Sequence, residues 1–123
     1  MNGLRSPRTG RALTSPYFDN VDATEDLYGD VLVYDFPIRC LSFQGVAVQG
    51  TPVGEMKLQL SIIDDVWSDL VGCKPIAVDM SLNNEFMFIV PEQTFYAGKI
   101  RMVWTAGQGS NGVINVLKRL MPW

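Results

Sequence analysis

The sequence predicts an all-β fold: an antiparallel β-sandwich, jelly-roll or immunoglobulin-like, of about seven to eight strands, preceded by an extended N-terminal arm. Three observations lead there. Apolar and polar residues alternate in short runs, most clearly where Met56, Leu58, Leu60 and Ile62 alternate with Lys57, Gln59 and Ser61, the period-2 signature of a half-buried strand. Turn-forming residues interrupt such runs at short intervals with no long helical pattern between them, which favours a sandwich or barrel over alternating βαβ units. Charge then divides the chain. Residues 1–16 carry Arg5, Arg8 and Arg11 and no acid, residues 17–35 carry six acids and no base, and residues 36–123 carry seven of each.

That division sets the predicted domain organisation: residues 1–29 as the arm and residues 30–123 as the sandwich domain. The arm is rich in Gly, Ser, Thr, Pro, Asn and Asp and has no sustained period, so it is expected to lack a fold of its own. Its apolar residues Leu4, Leu13, Tyr17 and Phe18, with Arg5, Arg8 and Arg11, are the candidate partner-binding set. Two readings stand for it. Chain ends are commonly disordered without any role, whereas about 28 extended residues span on the order of 90 Å and can tie together surfaces the domain does not touch.

Within the domain, strands are expected near Val31 to Tyr34, Ile38 to Val48, Glu55 to Ile63, Ile76 to Met80, Glu85 to Val90, Lys99 to Thr105 and Val113 to Leu117. The breaks between them make chemical sense. Pro37, Gly50-Thr51-Pro52, Gly54, Pro75, Asn83-Asn84, Pro91 and the loop 106–112 supply residues that cannot continue a ladder or that tolerate positive φ. The rival helical segments, Asp64 to Val71 and Val113 to Leu120, are both short. Leu60 and Val103 are assigned to the inward faces of central strands. At the C-terminal end, Trp123 either closes the sandwich or projects as a partner-binding anchor.

At 123 residues, 47% apolar and 19% charged, the chain has the makings of one globular core. No apolar run approaches the roughly 20 residues of a membrane-spanning helix, and the basic N-terminus lacks the apolar stretch of a secretory signal. A soluble, unexported chain with no membrane partner is expected.

The catalytic inventory is thin. There is no histidine, which removes the usual general base of Ser and Cys hydrolases, the HExxH helix and nearly every mixed Cys/His zinc site. No catalytic residue, cofactor or metal is assigned. Gly107, Gly109 and Gly112 spell G-x-G-x-x-G, but too few residues follow for a βαβ unit, so they are read as a hairpin turn. Asp64, Asp65 and Asp69 lack the spacing of a calcium loop; Asp64-Asp65 is read as a solvated strand-end turn, and Trp67 as folding back to cover the sandwich edge. Cys40 and Cys73 are read as two free, half-buried thiols. Nucleic acid is not expected as a partner, because the domain is charge-balanced and the acidic segment beside the three arginines opposes phosphate.

From Ile38 to Val116 the chain resembles the β-sandwich of tailed-bacteriophage virion accessory proteins, such as capsid decoration proteins and head fibres. One strand of such proteins often reads G-x-hydrophobic-x-hydrophobic-x-x-S-x-x-D-x-x-W, matched here by Gly54, Met56, Leu58, Ser61, Asp64 and Trp67. A later strand is matched by Tyr96, Lys99, Ile100, Arg101, Val103 and Trp104. The pattern departs at Asp65-Val66, where a glycine often follows the acid. The resemblance implies a non-enzymatic protein made in the host cytoplasm and located on the virion. It implies a decoration or cement protein bound to the major capsid protein at the outer capsid surface, and a homo-oligomer, preferably a trimer. The alternative is a tail-fibre or carbohydrate-binding module that uses aromatics such as Trp67, Tyr96 or Trp123.

Overall fold

The computed structural model describes residues 13–33, 38–69, 73–90 and 99–122. Among the described residues ten strands follow one another: β1 (Leu13–Asp22), β2 (Leu27–Tyr28), β3 (Leu32–Val33), β4 (Ile38–Gln49), β5 (Val53–Ser61), β6 (Ser68–Asp69), β7 (Ile76–Asp79), β8 (Glu85–Val90), β9 (Lys99–Ala106) and β10 (Val113–Pro122). Both segments that had a helical rival, so far as they are described, are strand or turn.

The strands form two antiparallel sheets, one ordered β1-β10-β4-β8 and the other β2-β9-β5-β6, with β3 also on β9 and β7 also on β5. Since β2 and β3 lie along the same edge of β9, and β6 and β7 along the same edge of β5, each pair acts as one interrupted strand. Eight strands result. The first pairs with the eighth, the second with the seventh, the third with the sixth and the fourth with the fifth. That is one long hairpin rolled up on itself and closed laterally by β10 on β4 and β9 on β5. Of the two expected architectures, this is the jelly roll.

Alternation explains why the two sheets face each other. On β5, Met56 and Leu58 point inward with Leu60 packed behind them, and on β9 Ile100, Met102 and Trp104 do the same. From the other sheet, Leu41 and Phe43 of β4, Phe86, Phe88 and Val90 of β8, and Ile114 and Val116 of β10 close the layer. Burying each large apolar side chain fully contributes about 1.5–3 kcal/mol. Gly45 on β4 makes room for one of them. The Phe86 ring lies where any Cβ at residue 45 would stand.

Three expectations need correction. The sandwich begins at Leu13, not at residue 30, because β1 pairs with β10 from Leu13↔Leu120 to Asp22↔Val113. Tyr17 and Phe18 are buried in the core, and Ala23 is completely buried. The strand escapes a period-2 search for a physical reason: register shifts between Pro16 and Phe18 and between Phe18 and Val21 put two consecutive residues inside. The acids that made the segment look like a solvated tail fasten its turns. Asp22 accepts hydrogen bonds from the Thr24 N–H and hydroxyl, and Asp26 accepts one from the Ala106 N–H.

The second correction concerns Val103, which belongs to the outer face of its sheet, one residue out of the expected register. It is nonetheless buried, opposite Tyr28 on one side and Lys57 on the other. The glycine-rich segment 107–112 is a turn with positive φ at Gly109 and Gly112, as expected of glycine. It is no hairpin, however, because β9 and β10 belong to different sheets. Cys40 and Cys73 are free thiols; Cys73 is buried, and that burial raises its pKa.

Candidate interaction surfaces

The side chains put forward as partner-binding do not come together. Tyr17 and Phe18 serve the interior. The Tyr17 hydroxyl donates to the Asp30 carbonyl (2.8 Å) and accepts from the Met102 N–H (2.9 Å), and the ring meets Phe18 and Phe43 edge-on at 5.1 Å. Leu13 is exposed at the start of β1. Leu4, Arg5, Arg8, Arg11, Trp123 and Tyr96 lie outside the described residues.

The outer faces of the two sheets differ in chemistry. On the β1-β10-β4-β8 sheet, register aligns Pro16, Leu117, Gln44 and Met87 in one row across all four strands, and Thr14, Arg119, Ser42 and Ile89 in the next. Asn115, Val46 and Glu85 form a third row over three strands. A shallow depression of about 190 Å³ lies among the side chains of the first two rows. Val46, Val48, Met87, Ile89 and Leu117 are each more than two-fifths exposed here. The charged members of the three rows are Arg119 and Glu85. The buried Asn115 Oδ1 has no hydrogen-bond partner among the described residues.

On the other sheet the outer face is polar and engaged with itself. The Arg101 guanidinium lies 4.1 Å from the Trp67 ring centroid and 4.7 Å from that of Tyr28, the geometry of a cation–π contact. Arg101 Nε donates to Gln59 Oε1 (3.0 Å), Gln59 Nε2 donates to Asp69 Oδ1 (3.1 Å), and Lys57 Nζ reaches the same carboxylate at 3.2 Å. The Gln59 bond first, then the Lys57 bond, lowers the Asp69 pKa. Trp67 thus covers an arginine on a sheet face, where the sequence pointed to the sandwich edge.

A second apolar spot caps the end of β5. Ile62, Ile63 and Val66 are exposed on the turn 62–67, which is closed by the Val66 N–H to the Ile63 carbonyl and by positive φ at Asp65. Lys99 holds this turn through Asp64 at 2.8 Å, which lowers the Asp64 pKa and raises that of Lys99. Among the described residues there is no group of three His, Cys, Asp or Glu placed to hold a metal, and no helix long and apolar enough to cross a membrane.

Sequence reasoning missed the apolar face, although a signal for it exists. A strand of an antiparallel sheet with one solvated face should alternate apolar with polar. In Glu85-Phe86-Met87-Phe88-Ile89-Val90 both alternating sets are apolar, Phe86, Phe88 and Val90 inward and Met87 and Ile89 outward. Compared with known proteins, the sequence matches no family model and no curated protein.

Proposed function

We propose that this protein is a non-enzymatic structural component of a phage virion, a decoration or cement protein that binds the major capsid protein through the outer face of the β1-β10-β4-β8 sheet. The observation that carries the reading is the near-neutral apolar character of that face, with Val46, Val48, Met87, Ile89 and Leu117 all presented to solvent. Apolar surface of this kind marks interaction sites. Jelly rolls occur in viral coats, lectin domains and cupins, so fold alone leaves three classes open. The cupin class fits poorly with a chain that has no histidine. The lectin class would draw on the Tyr28, Arg101 and Trp67 cluster, but Arg101, Gln59, Asp69 and Lys57 already hydrogen-bond or ion-pair with one another, leaving less of their capacity for a sugar hydroxyl.

Residues 13–29 act in this reading as part of the docking body, not as a tether. The test is co-sedimentation with undecorated capsids of the cognate phage. Full-length protein is expected to pellet with them, and Leu117→Lys, at an exposed site, is expected to lose occupancy while keeping its fold. Unchanged occupancy of the variant, or no pelleting of the wild type, overturns the reading. Retention on a glycan array that is lost in Tyr28→Ala and Trp67→Ala supports the recognition-module alternative instead.

A further inference from the structure

We propose that β8 is a self-pairing edge, through which two copies of this chain join antiparallel into a two-fold dimer with one continuous eight-stranded sheet. The backbone shows which groups are available for this. The Ala47 N–H donates to the Asn84 carbonyl at 3.2 Å, and the register pairs Val46 with Glu85 through Leu41 with Val90 without a shift. Because hydrogen-bonded pairs alternate along an antiparallel ladder, Phe86, Phe88 and Val90 turn their backbone groups toward β4. Glu85, Met87 and Ile89 turn theirs away. Among the described residues no strand takes them up.

The edge also lacks the usual defences. Natural sheet edges are blunted by proline, lysine, bulges or very short strands. At the opposite end of the same sheet, β1 has Pro16, two register shifts, positive φ at Asn20, and the charges of Asp19 and Asp22. The neighbouring edge β7 is only four residues long. By contrast β8 is regular, six residues long, free of proline and lysine, and exposes Met87 and Ile89 on its outer side.

A second copy is the occupant that this edge fits. With the two-fold axis at Met87, Met87 meets its own counterpart and Glu85 stands opposite the partner copy's isoleucine at the same position as Ile89. All the outward backbone groups of Glu85, Met87 and Ile89 are then paired. The two glutamates, the only charges on the strand, are separated by four residues along it, about 13 Å at strand rise, which keeps like charges apart. The row Leu117, Gln44, Met87 continues across the axis into its own copy, doubling the apolar face. Such pairing is isologous and closes at two, so it does not build the trimer that the phage resemblance implies. The inference does not depend on the capsid reading.

The experiment is the solution mass of the full chain by light scattering and sedimentation, without capsids. Twice the chain mass of 13.7 kDa is expected. Met87→Pro removes an N–H that β4 does not use, and Met87→Lys places a charge at an exposed site; each is expected to give the single-chain mass with an unchanged β-type circular dichroism spectrum. Val48→Lys, on the same face but away from the edge, is expected to stay dimeric. A monomeric or trimeric wild type overturns the proposal, as does a folded Met87→Lys protein that remains a dimer.

Discussion

On one long side of the sandwich, hydrogen bonds between sequence-distant residues fasten the crossing of the chain between the sheets, while on the other the crossing from β7 to β8 is a turn that closes mostly on itself. The crossing from β1 to β2 is held by Ala23, whose N–H donates to Gly112 and whose carbonyl accepts from Trp104 Nε1 (3.2 Å) and Ser110 Oγ (2.8 Å). Tyr17 and Gly29 both bond to the backbone of Met102 there. On the far side, β7 leads into β8 through a turn organised locally by Asp79, which accepts from the Ser81 N–H and hydroxyl. Beside it lies a groove of about 440 Å³ lined by Ile76, Val78, Leu82, Phe86 and Met87 among others. Hydrogen bonds between sequence-distant residues make the first side a structural seam. Among the described residues the second side has fewer of them, which leaves surface to be used by something else.

The largest test of this contrast is deletion. Removing residues 1–22 takes away β1 and the Tyr17 and Phe18 rings, and is expected to abolish cooperative thermal unfolding. Removing residues 1–12 leaves β1 whole and is expected to preserve the melt. If the shorter protein lacking 1–22 still melts cooperatively, the seam is not structural and the segment behaves as a free arm.

Point substitutions sharpen it. Trp104→Ala, at a fully buried site, is expected to destabilise by about 3–5 kcal/mol in chemical denaturation. Tyr17→Phe strands the buried Met102 N–H and is expected to cost about 1–3 kcal/mol. On the open side, Ile89→Ser is expected to change the stability of the dissociated chain by about 0.5 kcal/mol or less, measured at high dilution. Equal losses on the two sides would erase the distinction.

The smallest effect is that of pH. Asp22, Asp64 and Asp69 are all held below the ordinary carboxylate value, by hydrogen bonds from Thr24, Lys99 and Gln59 respectively. The folded chain therefore binds fewer protons at these sites than the unfolded one. Their contribution is complete above the ordinary value and is lost as pH falls through the lowered folded values. Lys99 is raised by Asp64, so its contribution is complete below the ordinary lysine value and is lost as pH rises through the raised one. These groups are solvent-exposed and screened. Denaturation midpoints should change little on their account between about pH 5 and 9, and a steep loss inside that window would point to other titrating groups.

Much of the fold was legible because β4, β5, β8, β9 and β10 carry runs long enough to reveal their period. The hidden parts have particular causes. The bulges of β1 break the alternation that would reveal it, and β2, β3 and β6 are two residues long, shorter than any pattern. Met102, Val103 and Trp104 form an unbroken apolar run, in which period cannot choose a face for Val103. Of the candidate surface, Met87 and Ile89 were readable as the superfluous apolar half of β8. Its continuation through Leu117 and Val46 depends on strand order, which no local pattern encodes.

The pairing of β1 with β10 also sets an order of events during synthesis. Leu13 meets Leu120, so the first strand of the sandwich leaves the ribosome roughly a hundred residues before its partner. At about 5–20 residues per second that interval lasts on the order of 5–20 s. Until it ends, Tyr17 and Phe18 have no β10 to pair beside, and the central strand β4 is missing one neighbour. The nested arrangement makes the outermost pair the last to close. The future edge, β8, is complete only at Val90, so the chain holds β8 against β4 with its seam unmade for roughly the last quarter of its synthesis.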